Sequence, residues 1–200
     1  MPAFNFCHYC GTQYSQVSTF PRICSNDACK REVWDSPNVV GVGIVPMGDG
    51  LLGGVRGIQG YGYGKKALMG GFSEKGESIE ETCAREILEE SGIKLDPNKF
   101  YQFYSAPTPG GQILSFCIYD GSVDESLLAT AVPCTETLEV LKLSFDDELA
   151  FPLHEEAVKR YQTYMAQQSI PFPANLFTQI QDLINGVDVD LDSLSSNKDE

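Results

Sequence analysis

Basic residues are scarce in this 200-residue chain: 14 lysines and arginines stand against 28 aspartates and glutamates, a formal charge of −14. That imbalance excludes nonspecific binding of DNA or RNA through a basic face. An anionic substrate would gain nothing from the bulk field, so metal ions or a few local Lys and Arg must receive it. Long apolar runs are lacking too, and none is long enough to span a membrane. The first residues, MPAFNFCHYC, have neither the basic region nor the apolar core of a secretory leader. The expected location is therefore the cytoplasm. The length suits one main domain with a small appendage.

Cysteine, by contrast, is concentrated. Four of the seven fall within the first 29 residues: Cys7, Cys10, Cys24 and Cys29. They are spaced C-x2-C and then C-x4-C. In a chain with no export signal such pairs read as a metal site rather than disulfides. Zinc takes four soft ligands in a tetrahedron, and cysteines paired on tight turns supply them. Gly11, directly after Cys10, suits such a turn. Four cysteines close the shell, so His8 is a bystander and the zinc is structural, a staple for a segment too small to fold by core alone. Cys83, Cys117 and Cys134 sit in apolar surroundings and read as small core residues.

The most informative stretch is GFSEKGESIEETCAREILEESGI, residues 71–93. Side chains three and four apart share a helix face, so Glu86, Glu89 and Glu90 would be presented together. With Ile79 as zero and about 100° per residue, Cys83 lies at ~40° and Ile87 at ~80°, which defines the apolar stripe. Glu90 lies at ~20° and Glu86 at ~340°, at or beside that stripe, while Glu89 lies at ~280°. Acids crowding an apolar edge are costly unless paired or bound to a cation, so the cluster points to a divalent metal. Arg85 precedes Glu89 by four residues and is placed to orient it. Ser78 followed by Glu81 predicts a capping box, and Gly92 a helix end.

This stretch resembles the signature of the Nudix hydrolases, G-x5-E-x7-R-E-U-x-E-E-x-G-U with U aliphatic. Gly71, Glu77, Arg85, Glu86, Ile87, Glu89, Glu90, Gly92 and Ile93 meet its fixed positions. The resemblance implies an α/β fold, an α/β/α sandwich with a mixed β-sheet, here preceded by the four-cysteine zinc ribbon. It also implies Mg²⁺ or Mn²⁺ held by Glu86, Glu89 and Glu90, with Arg85 beside them. The backbone carbonyl just before the box, here at Gly70, would join the metal. A further downstream glutamate completes the site in many Nudix enzymes; Glu136 is the candidate here and Glu139 the second choice. Glu89 or Glu136 would act as general base. The reaction implied is hydrolysis of a nucleoside diphosphate linked to another group.

Other segments are read more coarsely. Residues 38–46 are a β-rich run, the glycine turn 48–50 follows, and residues 51–56 read as the return strand of a hairpin. The loop RGIQGYGYGKK, residues 56–66, is a candidate substrate loop: Arg56, Lys65 or Lys66 for phosphate, Tyr61 or Tyr63 for a base. Residues 67–72 lead into the box. Two strands follow around the turn 107–111, then an alternating run from Thr135 to Leu143. Residues 154–168 form an amphipathic helix with Ala157, Tyr161, Tyr164 and Met165 inward. Pro171-Phe172-Pro173 breaks it, a short helix is expected over 174–185, and the acidic tail 187–200 reads as disordered.

The ribbon-then-box order is similar to that of bacterial NADH pyrophosphatases. Their SQPWPFP segment is matched here only by Ser105, Pro107 and Pro109 of SAPTPGG. Shorter zinc-ribbon Nudix proteins acting on FAD or ADP-ribose match better in layout, through Gly111-Gln112 and Ala150-Phe151. Gln112 is thus a further substrate candidate. Lys66 and Met69 stand where many relatives have Trp and Pro. The expected organisation is a ribbon over 1–36, a Nudix domain over 37–170 and an extension over 171–200. The expected partner is a nucleotide-type small molecule, with no membrane and no DNA; the resemblance also allows a homodimer. The expected activity is pyrophosphohydrolysis of ADP-ribose or FAD. The alternatives are an NADH pyrophosphatase or NAD-cap RNA decapping enzyme, and a non-catalytic ligand sensor.

Overall fold

The computed structural model describes residues 5–15 and 20–168. The break at Pro171, the helix expected over 174–185 and the acidic tail lie outside the described residues. Residues through Val158 form one compact unit, and a second begins at Lys159, inside the last helix. Among the described residues, no helix is long and apolar enough to cross a membrane.

The first elements are two short strands, β1 (Arg22–Ile23) and β2 (Glu32–Val33), paired antiparallel. The remainder builds two four-stranded sheets. One contains β3 (Val39–Ile44), β7 (Gly70–Phe72), β8 (Phe100–Pro107) and β9 (Ile113–Tyr119), in the order β7-β3-β9-β8. It is mixed: β3 runs parallel to β9 and antiparallel to β7. The other contains β4 (Pro46–Met47), β5 (Gly50–Arg56), β6 (Lys66–Ala67) and β10 (Thr137–Leu143).

The expected hairpin between residues 38–46 and 51–56 is corrected here. Only β4 and β5 form it, through Pro46↔Leu51 and Met47↔Gly50. The longer β3 belongs to the other sheet, because the chain crosses between sheets at Val45. Pro46 has no N–H to continue a ladder, and the Val45 carbonyl accepts instead from Leu52 N at 2.9 Å. A second crossing follows at Leu68–Met69, between β6 and β7. The segment read as one strand before the box is therefore two, one in each sheet.

Helix α1 (Ile79–Ser91) starts as expected: the Ser78 hydroxyl accepts from Glu81 N, and the Glu81 carboxylate accepts from Ser78 N. It ends at Gly92, whose φ of 73° is left-handed and suits glycine. Alternation along β3 sets what each face meets. A Cβ on Gly41 would lie 2.9 Å from Thr82 Cγ2, and one on Gly43 2.6 Å from Ile87 Cδ1, so these glycines admit α1. Val40 and Val42 face the other way, into the cavity described below. The buried core includes Val45, Met47, Leu52, Met69, Cys83, Ile87, Phe100 and Cys117. Helix α2 (Pro152–Gln168) buries Ala157 and Tyr161; Met165, expected inward, is exposed.

Candidate active site

A cavity of about 1270 Å³ opens where the two sheets and the box converge. One wall is carboxylate: Glu86, Glu89, Glu90 and Glu136 all line it, with Gly70, Gly71 and Arg85. Helical geometry brings the first three together. Burial follows the helical count: the Glu86 side chain is 14% exposed and that of Glu89 60%. Glu90 is half-buried, and its carboxyl end is enclosed.

Enclosure shows in the acidity of the pair. Desolvation, then the neighbouring Glu86 charge, pushes Glu90 up to about 8, against weaker lowering by the Thr137 hydroxyl and Gly70 N–H. Thr137 Oγ1 donates to Glu90 Oε2 at 3.3 Å. Burial also raises Glu86, with Arg85 opposing it. Gly71 leaves room for this carboxylate: a Cβ there would sit 2.3 Å from the Glu86 carboxyl carbon and push the flexible end of Glu86 aside.

Arg85 is the hub of the wall. The expected pairing with Glu89 is present but long, at 3.3 Å. Its closer partners are Glu77 Oε1, at 2.6 Å from Nε, and Glu86 Oε1, at 2.8 Å from Nη1. Nη2 also donates to the Phe72 carbonyl at 2.9 Å. The guanidinium holds Glu77 down to about 2. Glu77 thereby ties the loop before the helix to the helix itself, a role the spacing did not reveal. The box carboxylates share one wall without closing into a tight ligand set. Among the described residues, the one group of three or more His, Cys, Asp or Glu with ligand atoms within 4.8 Å of one another is the cysteine group below. Like charges repel, and Arg85 draws Glu86 and Glu89 toward itself.

Arg56, paired across the sheet with Thr137, lines the cavity beside the carboxylates, as do Ile58, Tyr61, Phe151 and His154. The Arg56 guanidinium lies 5.1 Å over the Phe151 ring, and its Nε donates to the Tyr61 carbonyl at 3.3 Å. The Tyr61 and Phe151 rings are 5.8 Å apart. Gln112 also lines the cavity, with its Oε1 held by Thr108 Oγ1 at 2.6 Å.

Three loop candidates are placed elsewhere. Lys65 pairs with Glu148 at 2.7 Å and Lys66 with Asp147 at 2.6 Å. Neither they nor Tyr63 lines the cavity, and neither does Glu139. Two residues that do line it were missed, Phe151 and His154. Phe151 had a signal in the Ala150-Phe151 pair. His154 read only as the start of a helix.

At the N-terminal end, Cys7, Cys10, Cys24 and Cys29 form a cluster fit for a metal ion. The sulfurs of Cys10 and Cys24 are 3.5 Å apart, and those of Cys7 and Cys29 3.9 Å. Two turns shape it. Gly11 at φ 72° donates to the Cys7 carbonyl, and Lys30 at φ 48° donates to that of Asn26. The Thr12 hydroxyl helps hold the Cys10 thiol down to about 6.

The family model described as NUDIX domain matches residues 37–166. The human protein NAD(P)H pyrophosphatase NUDT13, mitochondrial, is 27% identical over 175 residues, covering 86% of this chain and 46% of that protein. The NAD-capped RNA hydrolase NudC of Klebsiella pneumoniae is 28% identical over 131 residues, covering 63% of this chain and 49% of the relative. The chain thus spans about half the length of these curated relatives. Among solved structures, a NUDIX hydrolase from Nitrosomonas europaea superposes with a TM-score of 0.60 at 24% identity, over 80% of this chain and 90% of that one. That likeness speaks to the fold.

Proposed function

We propose, from the premise that the chain belongs to the Nudix family, that it is a Mg²⁺- or Mn²⁺-dependent pyrophosphohydrolase. Its substrate is a nucleoside diphosphate linked to a second group, with ADP-ribose or FAD favoured. The products are a nucleoside monophosphate and a second phosphate, AMP and ribose 5-phosphate in the case of ADP-ribose. The observation that carries this is one cavity with two chemistries: four carboxylates, and in the same lining an arginine with two aromatic rings. The first suits metal-assisted attack at phosphorus, the second a nucleotide's phosphate and base.

The residues fit the implied metal. Glu90 and Glu86 are enclosed together and burial raises the pKa of both, so a cation placed beside them would be favoured by relieving that cost. Glycine at 71 leaves the space that the Glu86 carboxylate fills. Glu86, Glu89, Glu90 and the Gly70 carbonyl would hold the ion, with Glu136 completing the set. When bound, the cation supplies positive charge against the anhydride oxygens and acidifies a water.

The chain's own groups do the rest. Arg85 fixes the orientation of Glu86 and holds Glu89 more loosely, so that Glu89, the most exposed of the three, can take a proton from the attacking water. Thr137 holds Glu90. Arg56 receives a phosphate, while Tyr61 and Phe151 offer an aromatic surface against which a ring can lie. In-line attack needs this positioning more than covalent help.

Zinc is the ion we assign to the four cysteines, since paired thiolates on tight turns favour it and a closed shell suits a structural role. We divide the chain into a ribbon over 1–36, the catalytic domain over 37–170 and an extension over 171–200. The names of the curated relatives favour a second reading, in which NAD(P)H or an NAD-capped RNA is the substrate. The complete carboxylate set disfavours a sensor without turnover. The test is incubation with Mg²⁺ or Mn²⁺ and a panel of ADP-ribose, FAD, NADH, dinucleoside polyphosphates and NAD-capped RNA, with products resolved by chromatography. Metal-dependent release of AMP supports the proposal, and no turnover on any member sinks it.

A further inference from the structure

We infer that His154 is a specificity-determining residue, whose Nε2–H donates to an acceptor atom on the edge of an adenine ring seated against Phe151 and Tyr61. The inference rests on the nucleotide reading of the cavity and adds how one half of the substrate is recognised.

Three features of His154 carry it. First, its position: the residue lies in the opening turn of α2, is 5% exposed and lines the cavity. Its ring is 4.9 Å from that of Phe151, which in turn is 5.8 Å from Tyr61. Phe116 meets it edge-on at 88°, with centroids 5.6 Å apart, and so locks its plane. Second, its tautomer: Leu68 N donates to Nδ1 at 3.3 Å, so Nδ1 offers its lone pair and a neutral ring carries its proton on Nε2. Burial, with the Arg56 charge nearby, keeps the ring neutral, holding it down to about 3. Third, its free donor: Nε2 has no hydrogen-bond partner among the described residues, and the ring that bears it lines the cavity. The donor therefore opens onto the cavity.

A fixed donor in a nearly enclosed site is poor design unless something accepts from it. The surroundings say what. A phosphate would sit better against the full positive charge of Arg56. The rings of Phe151 and Tyr61 favour a flat heteroaromatic group. Adenine offers ring-nitrogen acceptors at its edge, and a fixed donor beside Phe151 can meet one of them. A site built around a hydrogen bond discriminates strongly against groups that cannot make it.

The two nitrogens allow a clean test. In His154→Asn the amide oxygen still accepts from Leu68 N–H, but the side chain stops short of the Nε2 position. His154→Gln places an amide NH₂ where Nε2–H was. Binding of AMP and of ribose 5-phosphate, each with Mg²⁺, is measured by titration calorimetry for wild type and both variants, alongside melting temperature and ADP-ribose turnover. Expected is a roughly tenfold weaker AMP Kd in H154N, with recovery to within about threefold of wild type in H154Q. Ribose 5-phosphate, which lacks the ring, should bind all three alike. A purely structural His154 gives the reverse order, with H154N closer to wild type in both melting and affinity. That order overturns the inference, as does equal AMP affinity across the three proteins, including no binding by any. The expected AMP order with no turnover of ADP-ribose or of any other member of the substrate panel sinks the reaction proposal alone.

Discussion

Replacing Glu90 by Gln should stabilise the metal-free protein, and the gain should grow with pH. The carboxyl is raised from 4.5 to about 8 by desolvation and by Glu86. Between those values the folded protein holds a proton that the unfolded chain has released. Stability is thus fully present below the unfolded value and falls as pH rises through about 8. At 1.36 kcal/mol per pH unit the difference amounts to about 5 kcal/mol above pH 8 and about 3 kcal/mol at pH 7. These are ceilings, because the cavity beside Glu90 admits water. Glutamine is neutral at every pH and of similar shape, so it removes the penalty and keeps the Thr137 contact within reach.

The assay is thermal or urea unfolding in EDTA at pH 5, 6, 7 and 8, with wild type and E90Q side by side. The two curves should nearly coincide at pH 5 and separate steadily above it. About 3 kcal/mol corresponds to a melting shift on the order of 10 °C for a domain of this size. Adding Mg²⁺ or Mn²⁺ should then reverse the order, since the cation binds the folded carboxylate set of wild type and stabilises by mass action. Parallel curves from pH 5 to 8 would refute the reasoning about Glu90. So would a wild type that gains stability over that range relative to E90Q.

Glycine substitutions should separate activity from stability. Gly71→Ala drives a Cβ into the flexible end of Glu86, so turnover should fall by about a hundredfold with little change in melting. Gly43→Ala instead meets Ile87 Cδ1 at 2.6 Å in the core beneath α1, and should cost about 1–3 kcal/mol in urea unfolding. Cys24→Ser opens the sulfur cluster, so elemental analysis should show loss of about one zinc per chain, with earlier melting.

The residues legible in advance are those whose partners lie within one or two helical turns. Ser78 and Glu81, Gly92, and the placement of Glu86 and Glu90 beside Ile87 all follow from local geometry, and the structure has them so. The rest of the cavity's lining is not local. Met69 reaches it from the crossing into β7, and Phe151 and His154 from the start of α2, far along the chain, and no periodicity marks the crossings at Val45 and Leu68. Lys65 and Lys66 show why residue type alone misleads. In a glycine-rich loop they read as phosphate ligands, yet their partners, Glu148 and Asp147, lie some eighty residues on. With twice as many acids as bases in the chain, a lysine meets an internal carboxylate more readily than it stays open for a ligand. Arg56 escapes this because its neighbours, Tyr61 and Phe151, offer a carbonyl and a ring face rather than an acid. The useful question for a base in an acidic chain is therefore which carboxylates fold against it. The bases left facing rings and carbonyls are the ones to test against phosphate.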